Sequence, residues 1–74
     1  MKPLTEVRVG KRYRIAQLRS QHETCSRLRE MGLCENAVIR CVNKGSGNII
    51  CEVCNTRIGL NQLVASAIFV TALN

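Results

Sequence analysis

The sequence predicts a small, mainly β protein: a closed or nearly closed barrel of about five short strands with one inserted α-helix. Three observations carry this. Short β-branched runs with one apolar face recur along the chain, separated by Gly, Asn and Ser turn signals. A single segment near residues 21–31 has helical rather than strand periodicity. At 74 residues the chain is one domain, and it buries only about 60% of its unfolded surface, so its stability is a few kcal/mol.

Gly10 ends an opening turn. Residues 11–18 then alternate, with Tyr13 and Ile15 on one side and Arg12 and Arg14 on the other, as in a half-buried strand. Ser20 followed three residues later by Glu23 has the spacing of a capping box. Cys25, Leu28 and Met31 recur every three residues and share a helix face. Gly32 suits the left-handed position after the last turn, and Leu33 is the hydrophobic anchor beyond it. A helix of about ten residues is marginal alone and must dock on the strands.

Val38-Ile39-Arg40-Cys41-Val42 and Ile49-Ile50-Cys51-Glu52-Val53 flank the turn signal Lys44-Gly45-Ser46-Gly47-Asn48 and form the strongest hairpin. A three-residue loop would set Cys41 opposite Cys51. A four-residue loop would set Val42 there instead, and the register stays open. Asn55-Thr56 breaks the run and Arg57-Ile58-Gly59-Leu60 resumes it. Asn61 can cap a single helical turn at residues 61–65, and residues 67–72 make a last strand.

Hydrophobic residues make up 46% of the chain, but the only aromatics are Tyr13 and Phe69, both at expected core positions. The core therefore rests on Val, Ile, Leu, Ala and Cys. Eleven Lys and Arg stand against five acids, all Glu, which favours an acidic partner, a nucleic acid or a membrane surface. Single-strand recognition needs stacking aromatics that this composition lacks, so no nucleic acid is expected. Residues 1–6 lack the apolar core of a secretory signal. The longest near-apolar run, residues 64–73, is half of the roughly 20 residues a membrane helix needs. A cytoplasmic location without membrane insertion is expected, with thiols reduced.

The order Leu4, Gly10, Tyr13, Ile15, then Arg27-Leu28-x-x-Met31-Gly32-Leu33 ahead of the hairpin, then Leu60, Ala65, Ile68 and Val70, resembles the FeoA family. These are small cytosolic partners of the bacterial ferrous-iron transporter FeoB. The Leu-x-x-Met-Gly-Leu block is the specific part. The resemblance implies an SH3-like barrel over residues 1–74, similar also to the C-terminal domain of iron-dependent repressors. It further implies an accessory role in ferrous iron uptake, by docking on the cytosolic region of FeoB and modulating its activity or assembly. The chain departs from the family in carrying Glu35-Asn36 where many members have Pro-Gly, and in a shorter hairpin loop. Asn tolerates the left-handed conformation that such a turn needs.

Candidate partner-binding residues are Arg27 and Arg29 on the helix and Arg12 and Arg14 on the first long strand. Arg27 and Arg29 point about 200° apart on a helix, and Arg27 can pair with Glu30 at i,i+3. Cys51-Glu52-Val53-Cys54 has zinc-knuckle spacing, which nominates Cys51, Cys54 and Cys41 as ligands for iron or zinc. On a strand, however, residues three apart face opposite sides, and the stronger reading takes Cys25 and Cys41 as small buried hydrophobes, with Cys34 and Cys54 as partly exposed thiols. No cofactor is required by the fold. One histidine, His22 in the first helical turn, and no aspartate offer little for a nucleophile–base–acid set, so no enzyme activity is expected. The alternatives are a nucleic-acid-binding barrel and a direct transition-metal carrier.

Overall fold

A computed structural model describes residues 1–73. The chain runs β1 (Lys2–Pro3), a 3-10 turn (Leu4–Glu6), β2 (Arg12–Leu18), α1 (His22–Glu30), β3 (Val38–Lys44), β4 (Asn48–Val53), β5 (Thr56–Asn61), α2 (Gln62–Ser66) and β6 (Ile68–Ala72). The strands form one antiparallel sheet in the order β1-β6-β2-β3-β4-β5. The sequence suggested about five strands. The sixth is the two-residue β1, too short to show any alternation, which pairs Lys2 with Val70 and Pro3 with Phe69.

One face of the curled sheet encloses the core. Tyr13 and Ile15 from β2, Ile39 and Cys41 from β3, Ile49, Cys51 and Val53 from β4, and Ile68 and Val70 from β6 are all buried. Leu4 and Val7 seal it from the opening turn, Leu28 and Leu33 from around α1, and Ala65 from α2. Tyr13 is buried without cost because its hydroxyl accepts the Arg8 backbone N–H at 3.1 Å. Phe69 is not a core residue. It alternates outward between Ile68 and Val70, is half-buried, and lies under the Arg19 guanidinium, 4.3 Å from the ring centre.

Two β-bulges bend the long strands, as barrel closure requires. The first follows Ile15. Ile15 pairs with Val70 but Gln17 pairs with Phe69, so Ala16 is extra and Leu18, rather than Gln17, turns toward the core. The second resolves the hairpin register. Lys44 pairs with Ile49, as in a four-residue loop, yet a bulge at Val42 restores the Cys41–Cys51 pairing of the shorter one. Both sequence alternatives are therefore realised, one at each end of the same ladder.

Helix α1 begins one residue later than the capping-box spacing implies. Cys25 N–H donates to the Gln21 carbonyl, Gln21 is the N-cap, and no side chain caps the helix. Arg19 N–H remains tied to the Ala67 carbonyl at 2.7 Å. The strand connection thus runs on far enough to put Ser20 outside the cap position. The Ser20 carbonyl instead accepts from the Cys25 thiol at 3.5 Å. The C-terminus is as expected. Gly32 has φ +92°, its N–H donates to the Arg29 carbonyl, and Leu33 N–H donates to the Leu28 carbonyl at 2.8 Å. These two bonds complete a Schellman motif, with Leu33 and Leu28 buried beside each other's turn. Of the predicted helix face, Cys25 and Leu28 are buried, but Met31, the C-cap residue, is 44% exposed. Helix α2 is capped as predicted, with Val64 N–H donating to Asn61 Oδ1 at 2.8 Å.

Candidate partner-binding surface

The outer face of the sheet is built by the same alternation that fills the core. Arg12 on β2 pairs with Arg40 on β3, Arg40 with Glu52 on β4, and Glu52 with Arg57 on β5. One row across four strands thus carries three arginines and one glutamate. Arg40 Nη2 donates to Glu52 Oε1 at 2.8 Å. Arg12, Arg40, Glu52 and the exposed Val38 line a cleft of about 400 Å³, together with Cys54 and Asn55. Sequence reasoning missed Arg40, Glu52 and Arg57. Their outward parity is visible in the strand pattern, but their alignment with Arg12 depends on the registers.

Arg14 and Arg29 are tied to a neighbouring turn. Asn36 takes φ +75°, as the third residue of a turn closed by Ala37 N–H donating to the Cys34 carbonyl. The turn is stitched to β2 in both directions, Asn36 N–H to the Ile15 carbonyl and Ile15 N–H to the Ala37 carbonyl. Arg14 Nη1 donates to the Asn36 carbonyl at 3.0 Å. Arg29 donates to Glu35 through Nε and Nη2, at 3.3 and 3.0 Å. That hydrogen bond holds the Glu35 carboxyl below its usual range and raises Arg29 in turn. The expected Arg27–Glu30 pair is not among the ion pairs of the described residues, and it is Arg29 that finds a carboxylate. Arg27 lies apart, with Leu28 and Met31 on one wall of a groove of about 280 Å³ whose other wall is Gly59, Leu60, Asn61 and Val64.

The cysteines divide by burial. Cys41 and Cys51 are fully buried opposite each other, while Cys54 is exposed and Cys34 half-buried. Burial pushes the Cys51 thiol up to about 12 and raises Cys41 as well. Cys54 lies one residue beyond the strand that its spacing suggested. With Asn55 it forms the two-residue turn between Val53 and Thr56, at φ +51° and +60°, the pattern of a type I′ hairpin. The turn aims the chain back along β5 and leaves Cys54 outside while Cys51 faces inward. Among the described residues no group of three or more His, Cys, Asp or Glu is placed to hold a metal ion. His22 is exposed in the first turn of α1.

A curled six-stranded sheet, a helix inserted after the first long strand and a short helical turn before the last strand define a small SH3-like barrel. The FeoA domain model matches residues 2–72, and the chain belongs to that family. A crystallised iron uptake regulatory protein, FeoA, superposes with a TM-score of 0.87 at 26% identity, over 97% of this chain and 96% of that one. The zinc complex of FeoA from Stenotrophomonas maltophilia, described as a prokaryotic SH3 domain protein, gives 0.85 at 23%, over 96% and 91%. The fold also recurs within ScaR bound to Cd²⁺, with a TM-score of 0.88 at 23% identity, over 99% of this chain and 35% of that one. No curated protein matches the sequence. No helix among the described residues is long and apolar enough to cross a membrane.

Proposed function

We propose that this chain is an accessory interaction module of ferrous iron uptake. It docks from the cytoplasmic side on the cytosolic region of a FeoB-type transporter and modulates its activity or assembly. The observation that supports this most is the FeoA domain match over residues 2–72. The Stenotrophomonas relative is described as a possible ferrous iron transport activating factor, which agrees with such a role. The surface agrees with it too: a net charge of +6 and an exposed arginine row suit an acidic protein face.

The proposal assigns no catalytic residue and no resident iron or zinc to this chain. Cys41, Cys51 and Cys54 fill structural positions in it, two as core residues and one as a turn residue. The docking is tested by titrating the purified cytosolic region of the transporter into the labelled protein. Saturable amide shifts that weaken between about 50 and 500 mM salt are expected. Absence of binding at low salt removes the proposal. Metal content after purification without chelators, compared with a Cys51→Ser, Cys54→Ser double variant, tests the carrier alternative, and the expected outcome is equal, near-zero occupancy in both.

A further inference from the structure

Resting on the docking reading above, the geometry points to the cleft between Arg12 and Arg40 as the seat of an acidic side chain, Asp or Glu, carried on an extended segment of the protein partner. The registers place the two guanidinium-bearing residues directly opposite each other on neighbouring strands. Like charges in that relation repel, and an anion between them reverses the sign of the interaction. Arg40 already has a carboxylate on its far side, Glu52 at 2.8 Å, and Glu52 has Arg57 beyond it. Along the row the charges run plus, plus, minus, plus. The unmatched charge therefore lies at the Arg12 end, where no carboxylate pairs with Arg12 among the described residues.

The other arginines nominated by the sequence are not equivalent. Arg14 is committed to the Asn36 carbonyl and Arg29 to Glu35, and Arg27 faces the separate groove. Arg12 alone among the four lines this cleft.

A carboxylate fits better than a phosphate. Glu52 is part of the lining, and a phosphate group carries close to twice the charge of a carboxylate, so Glu52 repels it more strongly. No helix N-terminus lines the cleft to compensate. A side chain on a peptide fits better than a free acid, because Val38 (39% exposed) offers apolar contact beside the guanidinium groups, and flanking residues of a segment can use it. The arginine fork donates two parallel hydrogen bonds to a carboxylate, which fixes the angle at which the segment lies across β2 and β3.

The test follows the arginine Nε–H signals of the labelled protein. Three probes are added at constant ionic strength: an acetylated pentaglutamate amide, inorganic phosphate, and the cytosolic region of the transporter. The peptide is expected to move the Arg12 and Arg40 signals saturably, with phosphate at least tenfold weaker. Arg12→Gln is expected to weaken binding of the transporter region about tenfold, and Arg57→Gln by less than about twofold. Both positions are exposed, and an unchanged amide spectrum confirms the fold of each variant. Equal losses from the two variants, or phosphate shifts as strong as the peptide's, overturn the carboxylate site while leaving docking intact. Failure of the unmodified protein to bind the transporter region overturns the docking reading and this assignment of the partner, and the peptide titration then decides alone whether the cleft takes a carboxylate.

Discussion

The two faces of strands β2, β3 and β4 are written in alternate letters of the same segments, yet they do opposite work. Ile39 and Arg40 are chain neighbours. Ile39 is fully buried between Tyr13 and Val53, its partners on the adjacent strands. Arg40, one residue on, stands 41% exposed in a row of charges. The inner face contributes the stability, through apolar area removed from water. The outer face contributes little to stability, because exposed ion pairs are screened and lose side-chain entropy. That leaves the outer face free to carry recognition, since its residues can change without unfolding the barrel.

The contrast is broken most severely from inside. Ile39→Ala removes a buried side chain with no solvent access, and such truncations cost about 2–5 kcal/mol. For a domain of this size that is most of the total, so urea unfolding at 25 °C is expected to show a largely unfolded variant. A loss under about 1 kcal/mol would mean that the barrel collapses around the gap. Gly32→Ala is the next largest. At φ +92° an added Cβ meets only Cys54 Sγ, at 3.6 Å, an ordinary contact. The cost is therefore conformational, about 1–2 kcal/mol, and trimming Cys54 to alanine is not expected to restore it. Recovery in the double variant would show that crowding, not backbone strain, sets the requirement for glycine.

Much of this was legible in the sequence, for physical reasons that particular residues make plain. Alternation through Tyr13 and Ile15, the stop at Gly32-Leu33 and the cap at Asn61 are local, and each appears where expected. The bulges at Ala16 and Val42 were not legible, because they answer the curvature of the closed sheet and not any preference of those two residues. The capping box failed for a related reason. Ser20 and Glu23 have the right spacing, but the hydrogen bond from Arg19 to the Ala67 carbonyl, just ahead of β6, decides where the helix can start. The candidate site suffered most from this. Arg12 was visible as an outward residue, but its partner Arg40 is defined by a register that no local pattern specifies.

Alkaline pH separates the two faces in another way. The raised pKa of buried Cys51 means that the folded chain holds the thiol proton more tightly than the unfolded one. The associated stability is complete below the ordinary thiol value of 9.0 and is lost as pH rises toward about 12. The urea midpoint is expected to be level from pH 6 to about 8 and then to fall. The fall should be shallower in Cys51→Ala, although that variant starts lower. An identical slope in both would assign the alkaline transition to other groups.

The smallest expected effect on stability comes from the outer face, and it sharpens the comparison most. Glu52→Gln removes the carboxylate that Arg40 holds, at side-chain exposures of 41% and 33%, so the stability lost is about 0.2–1 kcal/mol. The same change leaves Arg12, Arg40 and Arg57 in a row with no acid among them. If the cleft serves an incoming carboxylate, the variant binds the pentaglutamate peptide more tightly while its urea midpoint drops slightly. Opposite signs for binding and stability are expected if Glu52 competes with the ligand for the same guanidinium groups. If binding falls along with stability, Glu52 holds Arg40 in the productive orientation, and the carboxylate is part of the site.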